Sequence, residues 1–156
     1  MPSCNRLDKS IGTPGEQRLQ MLDVVWNTAF RASPRLLVSD LELQLGPPTQ
    51  LRRTLLQLGA IYPDTEFWFA YGGDAYQDMP NWPGAREFMR DIHTVVFTEH
   101  ELPGLDGERV VRLHLPPAMH DMSSSHVRAA VARGQDTSAW LSEPVRQYID
   151  ERGLYR

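Results

Sequence analysis

Apolar residues along the chain fall into two kinds of run, some spaced three and four apart and some continuous over a few positions. Leu19, Leu22, Val25 and Trp26 recur at helical spacing, so residues 14–31 read as an amphipathic helix. Thr13 is placed to cap it, with Pro14 in first position and Glu16 as the N3 partner of a capping box. Leu36-Leu37-Val38 predicts a short buried strand that Ser39-Asp40 ends. Beyond the loop Gly46-Pro47-Pro48, Leu51, Leu55, Leu56 and Leu58 predict a helix over roughly 49–60. Phe67 to Tyr71 is the clearest buried-strand pattern, four aromatic residues and an alanine. Residues 75–79 and 84–91 are helix-like and divided by Pro80 and Pro83. Thr94-Val95-Val96-Phe97 and residues 109–115 predict two more strands, with a glycine- and acid-containing loop at 101–108 between them. Helices near 124–133 and 142–152 complete the chain, and Gly134 closes the first in the C′ position, where φ > 0 is free.

Helices alternating with short, continuously apolar strands predict an α/β fold with an open parallel sheet. Ligands in such sheets bind beyond the carboxyl ends of the strands. Ser39-Asp40, Gly72-Gly73-Asp74 and the 116–125 loop each follow a predicted strand, so they are expected on that one edge. A length of 156 residues suits one domain over 1–156, and no repeat or low-complexity tract divides it. The 41% hydrophobic and 23% charged content is that of a soluble globular protein. A net charge of −4 leaves no broad basic field, which argues against nucleic acid as a partner and requires any anion site to be local. The single Cys4 excludes an internal disulfide and a cysteine-built zinc cluster, and it reads as a small packing residue. That thiol usage suits a reducing cytoplasm. There is no apolar run of roughly 18 residues to span a membrane and no signal-peptide pattern, so a cytoplasmic location is expected.

Candidate chemistry concentrates in Met122-Ser-Ser-Ser-His-Val-Arg128, between a predicted strand and a predicted helix. Ser123, Ser124 and Ser125 at a helix start can cap orphan N–H groups, and those groups with the helix dipole form an anion site. Arg128 lies three residues after Ser125, on the same helical face, and its guanidinium can fork onto phosphate oxygens. The same pattern also describes a well-capped helix with a solvated arginine. Gly72-Gly73-Asp74 follows the aromatic strand directly, and two glycines permit φ > 0 and a close approach of the backbone to a ligand. A carboxylate there suits ribose hydroxyls, although a lone Gly-Gly-Asp is also an ordinary turn.

Met122-Ser-Ser-Ser-His-Val-Arg128 resembles the Ile-Ser-Ser-Thr-x-x-Arg signature of the nicotinate and nicotinamide mononucleotide adenylyltransferases, within the nucleotidylyltransferase superfamily. The likeness continues in the family's order along nearly the whole chain. Met1-Pro2-Ser3 and Lys9 resemble the end of the second strand and the substrate-phosphate loop, and residues 17–22 resemble the helix that follows. Residues 38–43 are similar to a family strand and turn, and Phe67 to Asp74 to the strand ending in Gly-x-Asp. Pro80-Asn81-Trp82 is similar to the Pro-x-Trp beyond it, and residues 144–149 and 153–155 to the last helix and tail.

The resemblance implies a Rossmann-like sheet and a transfer of the adenylyl group of ATP to a pyridine mononucleotide, with release of pyrophosphate, in NAD biosynthesis. By the same likeness, Ser123, Ser124, Ser125 and Arg128 hold the ATP phosphates, and Gly72 and Asp74 hold its ribose. Lys9 meets the mononucleotide phosphate, although Asp8 stands where many members have histidine. Trp82 stacks on the pyridine ring, or else plugs the core. Lys9 and Arg128 are the implied catalytic charges. Magnesium enters carried by the phosphates, with no protein metal cage.

The chain departs from the family at two places. The family opens with a strand and a Gly-x-Phe-x-Pro-x-His-x-Gly-His loop, and none of the five histidines (93, 100, 114, 120 and 126) stands in such a motif. The expectation is therefore a chain that begins about one βα unit late, with the first βα unit missing from its sheet. The alternative is a non-catalytic nucleotide-binding relic or interaction protein of the same fold. Pro47-Pro48-Thr49-Gln50 also differs from the family's Pro-Ser-Tyr-Thr, which leaves open whether the acceptor is the acid or the amide.

Overall fold

The structure is a computed structural model that describes residues 1–4, 12–30, 33–48, 50–99, 108–116 and 123–156, with Arg86 described by its backbone alone. It divides into two compact units, Met1–Thr49 with Met122–Arg156, and Gln50–Asp121.

In the first unit, α1 (Gly15–Val25) runs into a π-helical turn, Trp26–Phe30. Asn27 Nδ2 and Thr28 Oγ1 each donate at 2.8 Å to a carbonyl four residues back, Asp23 O and Val24 O. Side-chain donors thereby compete for the carbonyls of the last α-turn, where the helix widens. The expected capping box is not formed, because Pro14 rather than Thr13 is the N-cap and no side chain caps it. Leu36-Leu37-Val38, expected as a buried strand, is irregular, and Leu37 is 77% exposed. A strand needs a neighbour for its N–H and C=O groups; the carbonyl of Leu36 accepts instead from Trp26 Nε1 at 2.9 Å. A short helix not read from the sequence, α2 (Leu41–Leu45), follows.

The same unit contains α6 (Ser124–Ala132) and α7 (Glu143–Arg152), close to their predicted limits. Gly134 takes φ +66°, as a C′ glycine should, and its N–H reaches Val131 O at 2.9 Å. Gly153 ends α7 in the same way, at φ +59°. α7 packs on α1 through its buried Val145 and Ile149 face, and Tyr148 Oη donates to Gln20 Oε1.

The second unit holds α3 (Leu51–Ile61), β1 (Trp68–Gly72), α4 (Gly73–Asp78), a 3-10 turn at Met79–Asn81, α5 (Ala85–Phe88), β2 (His93–Thr98) and β3 (Val110–His114). The three strands form a parallel sheet in the order β1-β2-β3, which bears out the predicted sheet type. Ala70 pairs with Val95 and Val95 with Val111. β2 alternates buried with half-buried residues because successive side chains point to opposite sheet faces, and its flanking strands partly cover even the more open one. Thr94, Val96 and Thr98 are buried on one sheet face, and Phe69 and Tyr71 of β1 pack toward the core of Met79, Ala85, Phe88 and Ile92. The other face holds Trp68, Val111 and Leu113, each more than two-fifths exposed. Among the described residues β1 is therefore an edge strand with alternating exposure, where the run Phe67–Tyr71 predicted a fully buried one. Its continuous apolar sequence suits two covered faces, and one of them is open.

Candidate functional site

Ser123 is the N-cap of α6, and its Oγ accepts the N–H of His126 at 3.1 Å. The chain at Ser123 is extended (φ −128°, ψ 147°), so its hydroxyl turns back over the first helical turn. The N–H groups of Ser124 and Ser125 are among the first-turn donors that a helix cannot satisfy internally. Arg128 Nη2 donates to Ser125 Oγ at 3.2 Å, which places the guanidinium on the serine face that the spacing predicted. All four side chains are exposed, so none is locked by burial. His126 is exposed, and its ring meets Trp140 edge-on at 4.9 Å.

Ser123, Ser124 and Arg128 border a cavity of about 400 Å³ within the first unit. Val127, Val131, Val145 and Ile149 form much of its apolar wall. Its rim is hydroxylic and cationic, a donor set that suits phosphate oxygens. The sequence reading missed another lining residue, Arg18 of α1. It lies in a stretch singled out only for its likeness to a helix, and nothing in the local pattern links it to a position so distant along the chain.

In the second unit, Gly72 ends β1 at its carboxyl end, and exposed Asp74 stands in the first turn of α4. Neither Gly72 nor Gly73 adopts positive φ, which corrects the conformational reason given for them. Close approach is the constraint at Gly72, where an added Cβ would lie 2.9 Å from Asp74 Oδ1. A carboxylate can swing away, so the constraint acts on where Asp74 points rather than on the backbone.

Trp82 is half-buried against the Met79 cluster, edge-on to Tyr71 at 5.8 Å, and its Nε1 donates to Asp78 Oδ2 at 3.0 Å. One side of the indole is thus committed to packing. Lys9, with Asp8 and Met122, lies outside the described residues. The expected catalytic and ligand residues accordingly fall in both units, Ser123, Ser124, Ser125 and Arg128 in the first and Gly72, Asp74 and Trp82 in the second.

No family model matches the chain. The chain is 35% identical over 146 residues to a protein of Geobacillus thermodenitrificans named "Probable nicotinate-nucleotide adenylyltransferase", covering 92% of this chain and 63% of that one. It is 32% identical over 163 residues to a protein of the same name from Dehalococcoides mccartyi, covering 96% of this chain and 76% of that one. Thus the chain spans less than two thirds of its Geobacillus relative and about three quarters of the other. Among solved structures, nicotinic acid mononucleotide adenylyltransferase of Plasmodium falciparum, complexed with NaAD, superposes with a TM-score of 0.81 at 19% identity. That match covers 97% of this chain and 78% of the other, and it establishes the fold.

Proposed function

Since the chain belongs to the nicotinate-nucleotide adenylyltransferase family, we propose that it joins ATP to nicotinate mononucleotide in NAD biosynthesis. The products are the dinucleotide and pyrophosphate. The observation that carries this reading is the serine-capped start of α6, with Arg128 on its serine face, opening on a cavity that no acidic residue lines among those described. An oxygen of the mononucleotide phosphate attacks the α-phosphorus of ATP. A new P–O bond forms as the bond from that phosphorus to the bridging oxygen breaks, and pyrophosphate carries the electron pair away. Such a reaction needs alignment and charge neutralisation more than covalent help.

Ser123, Ser124, Ser125 and Arg128 hold the β- and γ-phosphates and stabilise the leaving pyrophosphate. Gly72 lets the strand end come close to the nucleotide, and Asp74 accepts from the ribose hydroxyls. Lys9 supplies a point charge to the mononucleotide phosphate. Trp82 offers its uncommitted ring surface to the pyridine. Magnesium suits this donor set only as an ion held by the phosphates, since hydroxyls and guanidinium groups are no cage for it. The acid is the preferred acceptor, and the reaction belongs to the cytoplasm, where a lone thiol such as Cys4 stays reduced.

The test is a calorimetric titration with ATP, followed by an assay of pyrophosphate release with nicotinate mononucleotide and then with the amide. ATP binding is the expected result, and dinucleotide formation on top of it would establish transfer. Binding without transfer would support the alternative of a nucleotide-binding protein that does not turn over. A chain that binds no ATP would overturn both.

A further inference from the structure

Arg18 stands on α1, and three backbone carbonyls fix its guanidinium. Nη2 donates to Ser3 O at 2.6 Å and to Cys4 O at 3.2 Å, while Nε donates to Thr13 O at 3.2 Å. Neutral acceptors orient the fork without cancelling its charge. Glu16, beside it on a second cavity, forms no ion pair with it. The Nη1 donors meet no acceptor among the described residues. Arg18 also lines the cavity bordered by Ser123, Ser124 and Arg128, and among the described residues no Asp or Glu lines it. Among the described residues neither Arg18 nor Arg128 pairs with a carboxylate, and like charges lining one cavity repel each other, a repulsion that an anion between them turns into attraction. A volume of about 400 Å³ accommodates a group of polyphosphate size.

We infer that Arg18 is a second cationic anchor of the phosphate-binding cavity, held by the carbonyls of Ser3, Cys4 and Thr13 and presenting its remaining donors to a polyphosphate. The inference rests on the reading of α6 as the triphosphate site. It also gives the carbonyl clamp a purpose, because a pre-oriented fork loses less side-chain entropy when it grips an anion. A purely structural Arg18 would tie Ser3 and Thr13 to α1 and contribute nothing to anion affinity.

The experiment titrates the full chain with ATP and with inorganic tripolyphosphate at low and physiological salt. It compares the unchanged protein with Arg18→Gln, Arg18→Lys and Arg128→Ala, each checked by thermal melting. Glutamine keeps an amide donor for the carbonyls but no charge, and lysine keeps the charge. Arg18→Gln is expected to bind both anions roughly tenfold more weakly, the effect of losing a charge-assisted hydrogen bond. Its salt dependence should also be shallower, and Arg18→Lys should lie closer to the unchanged protein.

In parallel, an arginine-specific dicarbonyl reagent is applied to the unchanged chain with and without tripolyphosphate, which should protect Arg18 together with Arg128. This arm decides the matter if Arg18→Gln does not fold. Equal modification of Arg18 with and without the anion, or a folded Arg18→Gln with unaltered affinity and salt slope, overturns the inference. The α6 reading survives that outcome provided Arg128→Ala weakens ATP binding. If Arg128→Ala also binds as before, both fall.

Discussion

Arg128 is exposed and its hydrogen bond is to a neighbouring serine, so its charge is available to a ligand. Arg128→Ala should weaken ATP binding by about 1.5–3 kcal/mol, the size of a hydrogen bond to a charged group, as measured by calorimetry. Unchanged affinity would remove the residue from the site. Asp136 provides a separate pH test beyond α6. The backbone N–H of Ser138 at 2.9 Å, then the Ser138 hydroxyl at 2.9 Å, hold its carboxyl below the ordinary aspartate value. A depressed carboxyl stabilises the fold above its unfolded-state value, and that contribution is lost as pH falls through the lower, folded one. Ser138→Ala removes the hydroxyl but keeps the backbone donor, so the Asp136 titration followed by NMR should move partway back up. An unmoved titration would show that the hydroxyl contributes nothing. Of the candidate site, the Ser123 cap and the placing of Arg128 beside Ser125 were legible because both lie within one helical turn. The two-sided setting of Trp82 was not, because Tyr71, Asp78 and the Met79 cluster meet it through folding.

At the scale of the element, α6 is delimited by two local devices. Ser123 caps its first turn, and Ser123→Ala should lower stability by about 1 kcal/mol in denaturant unfolding. Gly134 closes it at φ +66°, where an added side chain meets no neighbouring atom but strains the backbone. Gly134→Ala should therefore cost about 1–2 kcal/mol by the same measurement, through conformation alone. Both devices act over three or four residues, which is why the limits of α6 and α7 read correctly from the sequence. The start of α1 did not. Thr13, Pro14 and Glu16 satisfy the capping-box pattern, yet the helix begins one residue later and Thr13 gives its carbonyl to Arg18. The competing partner came from the next turn of the same helix.

Across the molecule, each unit is held by its own small set of buried apolar residues, and in the second the centre is Met79, at 0% exposure. Met79→Ala should destabilise by about 2–5 kcal/mol, through lost transfer energy and the cavity left behind, in thermal or denaturant unfolding. A smaller loss would mean that the Phe88 and Ile92 side chains collapse into the space. The α/β alternation, the parallel sheet and most helix limits followed from the chain alone, since periodicity, caps and glycines act between residues a turn or two apart. Other features depended on partners far away in sequence. Among the described residues β2 is central and β1 an edge strand because of which strands pair, and no strand pairs with Leu36-Leu37. One face of the sheet is covered and the other open because of where α4 and α5 pack. Arg18 shares a cavity with Arg128 although the two are most of the chain apart. Such pairings arise when burial and hydrogen bonding are satisfied over the whole fold at once, and no window of local sequence contains both members.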